Sequence, residues 1–198
     1  MTSSWRLYDT PPALIYGFHG CDRAVADRVL TGAEGLLPSE NEYDWLGPGI
    51  YFWENDPQRA LEFAEQAAAR TSRASRGKIK DPAVIGAVIN LGQCLNLLSA
   101  KHVEELRGAY EISCANPKVA ALTNDEKHFG ARYLDCAVVQ TLHEYRREIG
   151  LLPYDSVRSV FWEGDPIYES AGIHDRNHIQ VCVCNVACIK GYFRPIPD

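Results

Sequence analysis

Two short stretches constrain this chain most. Ala13-Leu14-Ile15-Tyr16-Gly17-Phe18 is an apolar run that stops at His19-Gly20. Later, Leu46-Gly47-Pro48-Gly49 is a tight-turn sequence feeding a second run, Ile50-Tyr51-Phe52-Trp53. Both runs are β-branched and aromatic, and isolated strands this short are not stable, so both must belong to a sheet. Glycines on either side of Pro48 suit a place where backbone approaches a ligand closely. A histidine closing one strand and a tyrosine opening another are side chains that can wall a pocket for a flat amide ring such as nicotinamide.

The remaining pattern mixes helices and strands. Asp22 is a good N-cap for a helix over 23–30, with Val25, Val29 and Leu30 on its apolar side and Gly32 at its end. Residues 34–48 read as a loop rich in Gly, Pro, Ser, Asn and acids. Pro57, well suited to a first helical position, opens a helix to about residue 70. Residues 84–91 form a buried strand that 95–98 continue irregularly. A helix over 100–110, a polar connection over 113–130 and a longer helix over 131–149 follow, the last with Leu134, Val138, Leu142 and Tyr145 on one face. Residues 159–162, 178–184 and 189–193 read as strands, with a loop over 163–177. Strict βαβ alternation, a Gly-x-Gly-x-x-Gly after a strand and a P-loop are all missing from the sequence. The expected fold class is therefore α+β, mostly antiparallel split sheets with flanking helices, in one domain over 1–198.

Composition limits the function classes. The chain has 198 residues, 46% of them hydrophobic and 23% charged, which suits a soluble globular domain. Apolar runs such as 83–91 are too short to cross a bilayer, and Met1 to Arg6 lacks a signal-peptide layout, so the expected location is the cytoplasm, with no membrane partner. Seven cysteines without a Cys-x-x-Cys pair read as reduced core residues, and no metal site is expected. A net charge of −6 argues against non-specific nucleic-acid binding. Locally, Arg70, Arg73, Arg76, Lys78 and Lys80 occur together with no acid among them. They read either as a solvated helix end or as a phosphate-facing patch.

His19-Gly20, Gly49-Ile50-Tyr51-Phe52 and Gln180-Val181-Cys182-Val183 resemble, in order and spacing, three motifs of the ADP-ribosyltransferases of the diphtheria-toxin and poly-ADP-ribose polymerase type. The resemblance extends thinly over most of the chain. It implies an ADP-ribosyltransferase-like fold and NAD as substrate, with no metal. It also implies that the Gly20 backbone holds the nicotinamide carboxamide, that His19 binds a ribose hydroxyl on the adenosine side, and that Tyr51 stacks on the nicotinamide ring. Phe63 is the nearest candidate for a second stacking aromatic. Cleaving the nicotinamide–ribose bond builds positive charge on the ribose, as in glycoside cleavage, while the leaving group is neutral. Such a pocket stacks, orients and stabilises a cation.

Three positions depart from the family pattern. The third motif residue, a glutamate in the family, is Gln180, making this a His-Tyr-Gln variant of the His-Tyr-Glu motif. Glutamine bonds a ribose but takes no proton, so transfer of a single ADP-ribose is expected rather than chain elongation. Ala60 stands where a serine contact is usual, and Cys21 where Ser or Thr follows His-Gly. Another acid must then act as base, and Glu163 leads Asp165 and Glu169 because it directly follows apolar Val160-Phe161-Trp162. His178 shares the strand face of Gln180 and is placed to flank the cleft.

The leading expectation is an NAD-dependent mono-ADP-ribosyltransferase that releases nicotinamide and modifies a macromolecule, RNA, DNA or protein. A small enzyme of this kind suggests a bacterial toxin, toxin–antitoxin or antiviral defence effector, silenced by an inhibitory protein. Trp162 and Tyr168 would suit stacking on single-stranded nucleic acid. The alternative is a non-catalytic NAD or ADP-ribose binding module. A cysteine hydrolase using Cys21 or Cys114 is a third reading.

Overall fold

The computed structural model describes residues 14–69, 79–124 and 131–196. It is an α+β fold built on one seven-stranded sheet. In chain order the elements are β1 (Ile15–Asp22), α1 (Arg23–Leu30), β2 (Ile50–Glu54), α2 (Pro57–Ala69), β3 (Pro82–Ile89), β4 (Cys94–Asn96), α3 (Ala100–Ser113), α4 (Pro117–Ala120), α5 (Tyr133–Glu148), β5 (Ser156–Phe161), β6 (His178–Val183) and β7 (Ile189–Phe193). The strand order is β4-β5-β6-β2-β1-β3-β7. Every pairing is antiparallel except β4 with β5. Among the described residues no helix is long and apolar enough to cross a membrane. Arg70, Arg73, Arg76, Lys78 and the N-terminal Met1 to Arg6 lie outside the described residues. Of the basic run only Lys80 is described; it is exposed, and its backbone N–H donates to the Asp22 carboxylate at 2.7 Å.

Register sorts the side chains onto two faces. Ile15, Gly17, His19 and Cys21 of β1 lie beside Ile89, Ala87, Ile85 and Ala83 of β3. Ile50 and Phe52 of β2 lie beside Val183 and Val181 of β6. With Ala26 and Val29 of α1 these form one core. The opposite face carries Tyr51 and Trp53, next to Cys182 and Gln180. There Leu95, Val157 and Cys182 pack beneath Ala109 of α3 and Val138, Val139 and Leu142 of α5. α2 lies over β1 and β3 on this same face. The two helical covers therefore stand over opposite ends of one sheet face and leave Tyr51, Trp53 and Gln180 between them.

Local chemistry explains the element ends. Asp22 caps α1 by accepting from the Ala24 N–H at 3.0 Å. Its other oxygen takes the Lys80 and Asp81 N–H groups, and these bonds pull its carboxyl pKa below the ordinary value. α5 has no cap of its own at Arg132. Asn124 supplies one, its Oδ1 accepting from the Leu134 and Asp135 N–H groups. Asp135, half-buried in the first turn of α5, is held by Asn124 Nδ2 at 2.9 Å and by Arg132 Nε at 2.7 Å.

Two expectations change. Residues 94–96 do not continue β3: after Gly92, at φ 59, the chain crosses to the far sheet edge and pairs parallel with β5. The expected split into two sheets is a divergence within one sheet, because the ladder between β1 and β2 has only two pairs, Gly17 with Glu54 and Phe18 with Trp53.

Candidate active site

The short β1–β2 ladder sets the geometry. Beyond Phe18 the two strands separate, and the His19 side chain bridges the opening with Nδ1 2.8 Å from the Tyr51 carbonyl oxygen. A carbonyl only accepts, so Nδ1 carries the hydrogen and Nε2 of the neutral ring is an acceptor. Burial lowers the His19 pKa, with the Tyr51 bond opposing it more weakly, so the ring stays neutral. Gly20, the next residue, faces α2 on the opposite side of β1 from the His19 side chain.

Gly20 is required here for a local reason. A Cβ at this position would lie 2.1 Å from the Ala60 carbonyl oxygen of α2. β1 and the first turns of α2 approach so closely that only glycine fits between them. Ala60 is itself fully buried in this contact.

Tyr51 is anchored at its far end. Its hydroxyl donates to the Gly47 carbonyl at 2.8 Å and accepts from the Leu46 N–H at 3.0 Å. Gly47, at φ 82, makes the turn that brings those groups back. Burial pushes the Tyr51 phenol well above its ordinary pKa, so it stays neutral. The ring is fixed, with its plane set by the turn from which its strand emerges. Cys182, directly opposite on β6, packs against the same turn with Sγ 3.5 Å from the Gly47 oxygen.

Gln180 lies opposite Trp53 and is 9% exposed. Among the described residues its amide makes no hydrogen bond. Around it is a row of rings: Phe63 to Trp53 at 5.1 Å, Trp53 to His178 at 6.0 Å, and His178 stacked on Phe161 at 5.0 Å. Phe63, the candidate second stacking aromatic, packs on Trp53 and is 43% exposed. His178 is buried on the same strand face as Gln180, as the strand period implies. Burial, its largest influence, lowers its pKa.

Glu163 reaches this cluster from the loop after β5. Its Oε2 is 3.0 Å from Arg59 Nη2 of α2 and 3.9 Å from His178 Nδ1. Asp165 and Glu169, the other loop acids considered, are exposed. Three buried polar atoms here, Trp53 Nε1, Arg59 Nε and His178 Nε2, have no partner. Leaving such a group unpaired costs about 1–3 kcal/mol, which makes this cluster a candidate site.

Sequence reasoning missed Trp53 and Arg59. The alternation of β2 puts residue 53 on the face of residue 51, and the helical period puts residue 59 beside residue 63. The strand alternation was legible in the sequence; the partner of Arg59, 104 residues away, was not. Cys21 is buried, and burial pushes its thiol up to about 11, so little thiolate forms at neutral pH.

No family model matches this chain, and no solved structure matches it. Over 39 residues, 20% of its length, the chain is 44% identical to the uncharacterized protein MJ0359 of Methanocaldococcus jannaschii. That match takes in 18% of the archaeal protein.

Proposed function

We propose that this protein is an NAD-dependent mono-ADP-ribosyltransferase with its cleft at the opening between β1 and β2. The observation that carries the reading is the His19 bridge: a neutral imidazole fixed to the Tyr51 carbonyl, with Nε2 as acceptor, at the end of the two-pair ladder. Nε2 would accept from a ribose hydroxyl. The Gly20 strand edge would meet the carboxamide, and Tyr51 and Trp53 would present ring faces to nicotinamide. The carbon–nitrogen bond to nicotinamide breaks with its electron pair going to the leaving nitrogen. Gln180 would hydrogen-bond the cationic ribose without neutralising it. The acceptor's oxygen or nitrogen then bonds the ribose carbon, and its proton goes to Glu163.

A second reading, a binding module for NAD or ADP-ribose, is favoured by the uncharged Gln180. One assay separates them: nicotinamide release from NAD, with and without RNA, DNA or cell lysate, for wild type and His19→Ala. Release that falls at least 100-fold in the variant supports the transferase, on the scale of losing a well-placed binding and orienting group. Nucleotide-dependent thermal stabilisation without release supports the binding module. For a nucleic-acid acceptor, Arg73→Glu with Arg76→Glu should abolish labelling of that acceptor and leave NAD binding intact.

A further inference from the structure

Glu163 is held in a way its own loop does not require. The loop is closed by its own bonds: Ile167 N–H to Ile173 O at 3.1 Å, Asp165 N–H to the Asp175 carboxylate at 2.9 Å, and His174 Nδ1 to Gly164 O at 2.9 Å. Trp162 stacks on His174 across it. These bonds are made within the loop itself. Glu163 instead points out of the loop to Arg59, which is 104 residues away in sequence and on α2.

Arg59 is unusual for an arginine in the first turn of a helix. Its side chain is 9% exposed, and it sits between two carboxylates, Glu62 on its own helix and Glu163 on the loop. Its backbone N–H is fixed by the Asp56 carboxylate at 3.0 Å. Glu62 alone would neutralise the guanidinium; the second bond serves Glu163. Burying a guanidinium is costly unless carboxylates satisfy it, and here Glu62 and Glu163 both do. The next cation along, Arg176 Nη1, is 3.9 Å from the other Glu163 oxygen. Glu163 Oε2 stands 3.9 Å from His178 Nδ1, on the strand whose alternation puts His178 and Gln180 on one face.

We propose that Arg59 is a positioning residue. It holds Glu163 where its carboxylate does the work that an acid at position 180 would otherwise do. This rests on the transferase reading above. The acceptor's proton is transferred to a carboxylate delivered by the loop instead of one carried on β6, and α2 sets its place.

The test is a set of variants assayed for steady-state nicotinamide release with acceptor, each first checked for an unchanged melting transition. Glu163→Gln should lower kcat by about 100-fold or more, the scale of losing a general base, with little change in KM for NAD. Arg59→Gln should lower kcat by about 10- to 100-fold through misplacement of that base. Arg59→Lys should recover part of the loss. Arg59→Gln added to Glu163→Gln should cost nothing further, because the group it positions is already gone. Gln180→Glu added to Glu163→Gln should restore at least tenfold.

An Arg59→Gln enzyme with wild-type kcat overturns the assignment. So does a loss of the same size in both the wild-type and Glu163→Gln backgrounds, which would make Arg59 merely structural. Should Arg59→Gln fail to fold, Arg59→Lys with and without Glu163→Gln gives the same comparison. Wild-type protein that releases no nicotinamide with any acceptor removes the transferase reading itself, and this assignment with it.

Discussion

The bond between Glu54 and Arg158 offers the sharpest test of how this sheet is held. Glu54 ends β2, and Arg158 lies on β5 beyond the intervening β6. Arg158 Nε and Nη2 reach the two Glu54 oxygens at 2.6 and 2.9 Å, and Nη1 reaches Asn96 Oδ1 of β4 at 3.2 Å. The two side chains are 8% and 11% exposed. The Glu54 bond is the main reason the Arg158 pKa rises above its ordinary value. Removing one partner of a buried pair typically costs about 3–5 kcal/mol, because the other charge stays buried and unpaired. Arg158 would keep its Asn96 bond, so Glu54→Ala should fall near the lower end, about 3 kcal/mol. For a domain of this size 1 kcal/mol shifts Tm by about 2–4 °C, which gives a fall of about 6–12 °C. Replacing both partners, Glu54→Leu with Arg158→Met, should recover most of that loss, since a packed apolar pair is often neutral against a buried ion pair. Differential scanning calorimetry of the three proteins measures it. A single-variant shift under about 3 °C would refute the reasoning, as would a double variant no better than Glu54→Ala.

Other expectations follow from the same structure. Burial lowers the pKa values of His19, His178 and His143, the last to about 4. The unfolded chain then binds protons that the native state refuses. Stability should be level above pH 7, fall below an unfolded pKa of about 6.5, and for His143 lose about 3 kcal/mol by pH 4. Urea unfolding across pH should show this, and a His143→Gln curve as steep as wild type would refute the His143 share. Gly20→Ala, which needs α2 to move off β1, should lower Tm by several degrees and impair NAD binding, checked by calorimetry and titration. Asn124→Ala removes the borrowed cap of α5 and should cost about 1 kcal/mol in denaturant unfolding.

How much was legible in the sequence depended on how local each cause is. α1 was read to its ends because its cap residue, apolar face and stop lie within a dozen residues of one another. β4 was misread because what makes Cys94–Asn96 a separate strand is its parallel pairing with β5, some sixty residues on. The α5 cap was missed for a like reason: Asn124 reaches it from outside the helix, and only the fold brings them together. At the site, His19, Tyr51, Gln180 and Glu163 were read as candidates, and the structure brings Gln180, His178 and Glu163 to one face. It sets His19 on the other face, joined to Tyr51 through a backbone oxygen. Arg59 stayed hidden because a lone arginine in a first helical turn reads as a solvated residue until its partner across the chain is known.

The distribution of thiols has a practical consequence. Cys21, Cys94, Cys136, Cys182 and Cys188 are buried in or beneath the sheet, Cys184 is partly covered, and Cys114 at the end of α3 is exposed. Burial also holds the Cys21 and Cys94 thiols up near 11, where little thiolate exists at neutral pH. A brief pulse of maleimide should therefore tag the native protein at Cys114 and, as the sheet opens, at the others in turn. The untouched wild-type chain carries its own probe of which strands part first, with no engineered label.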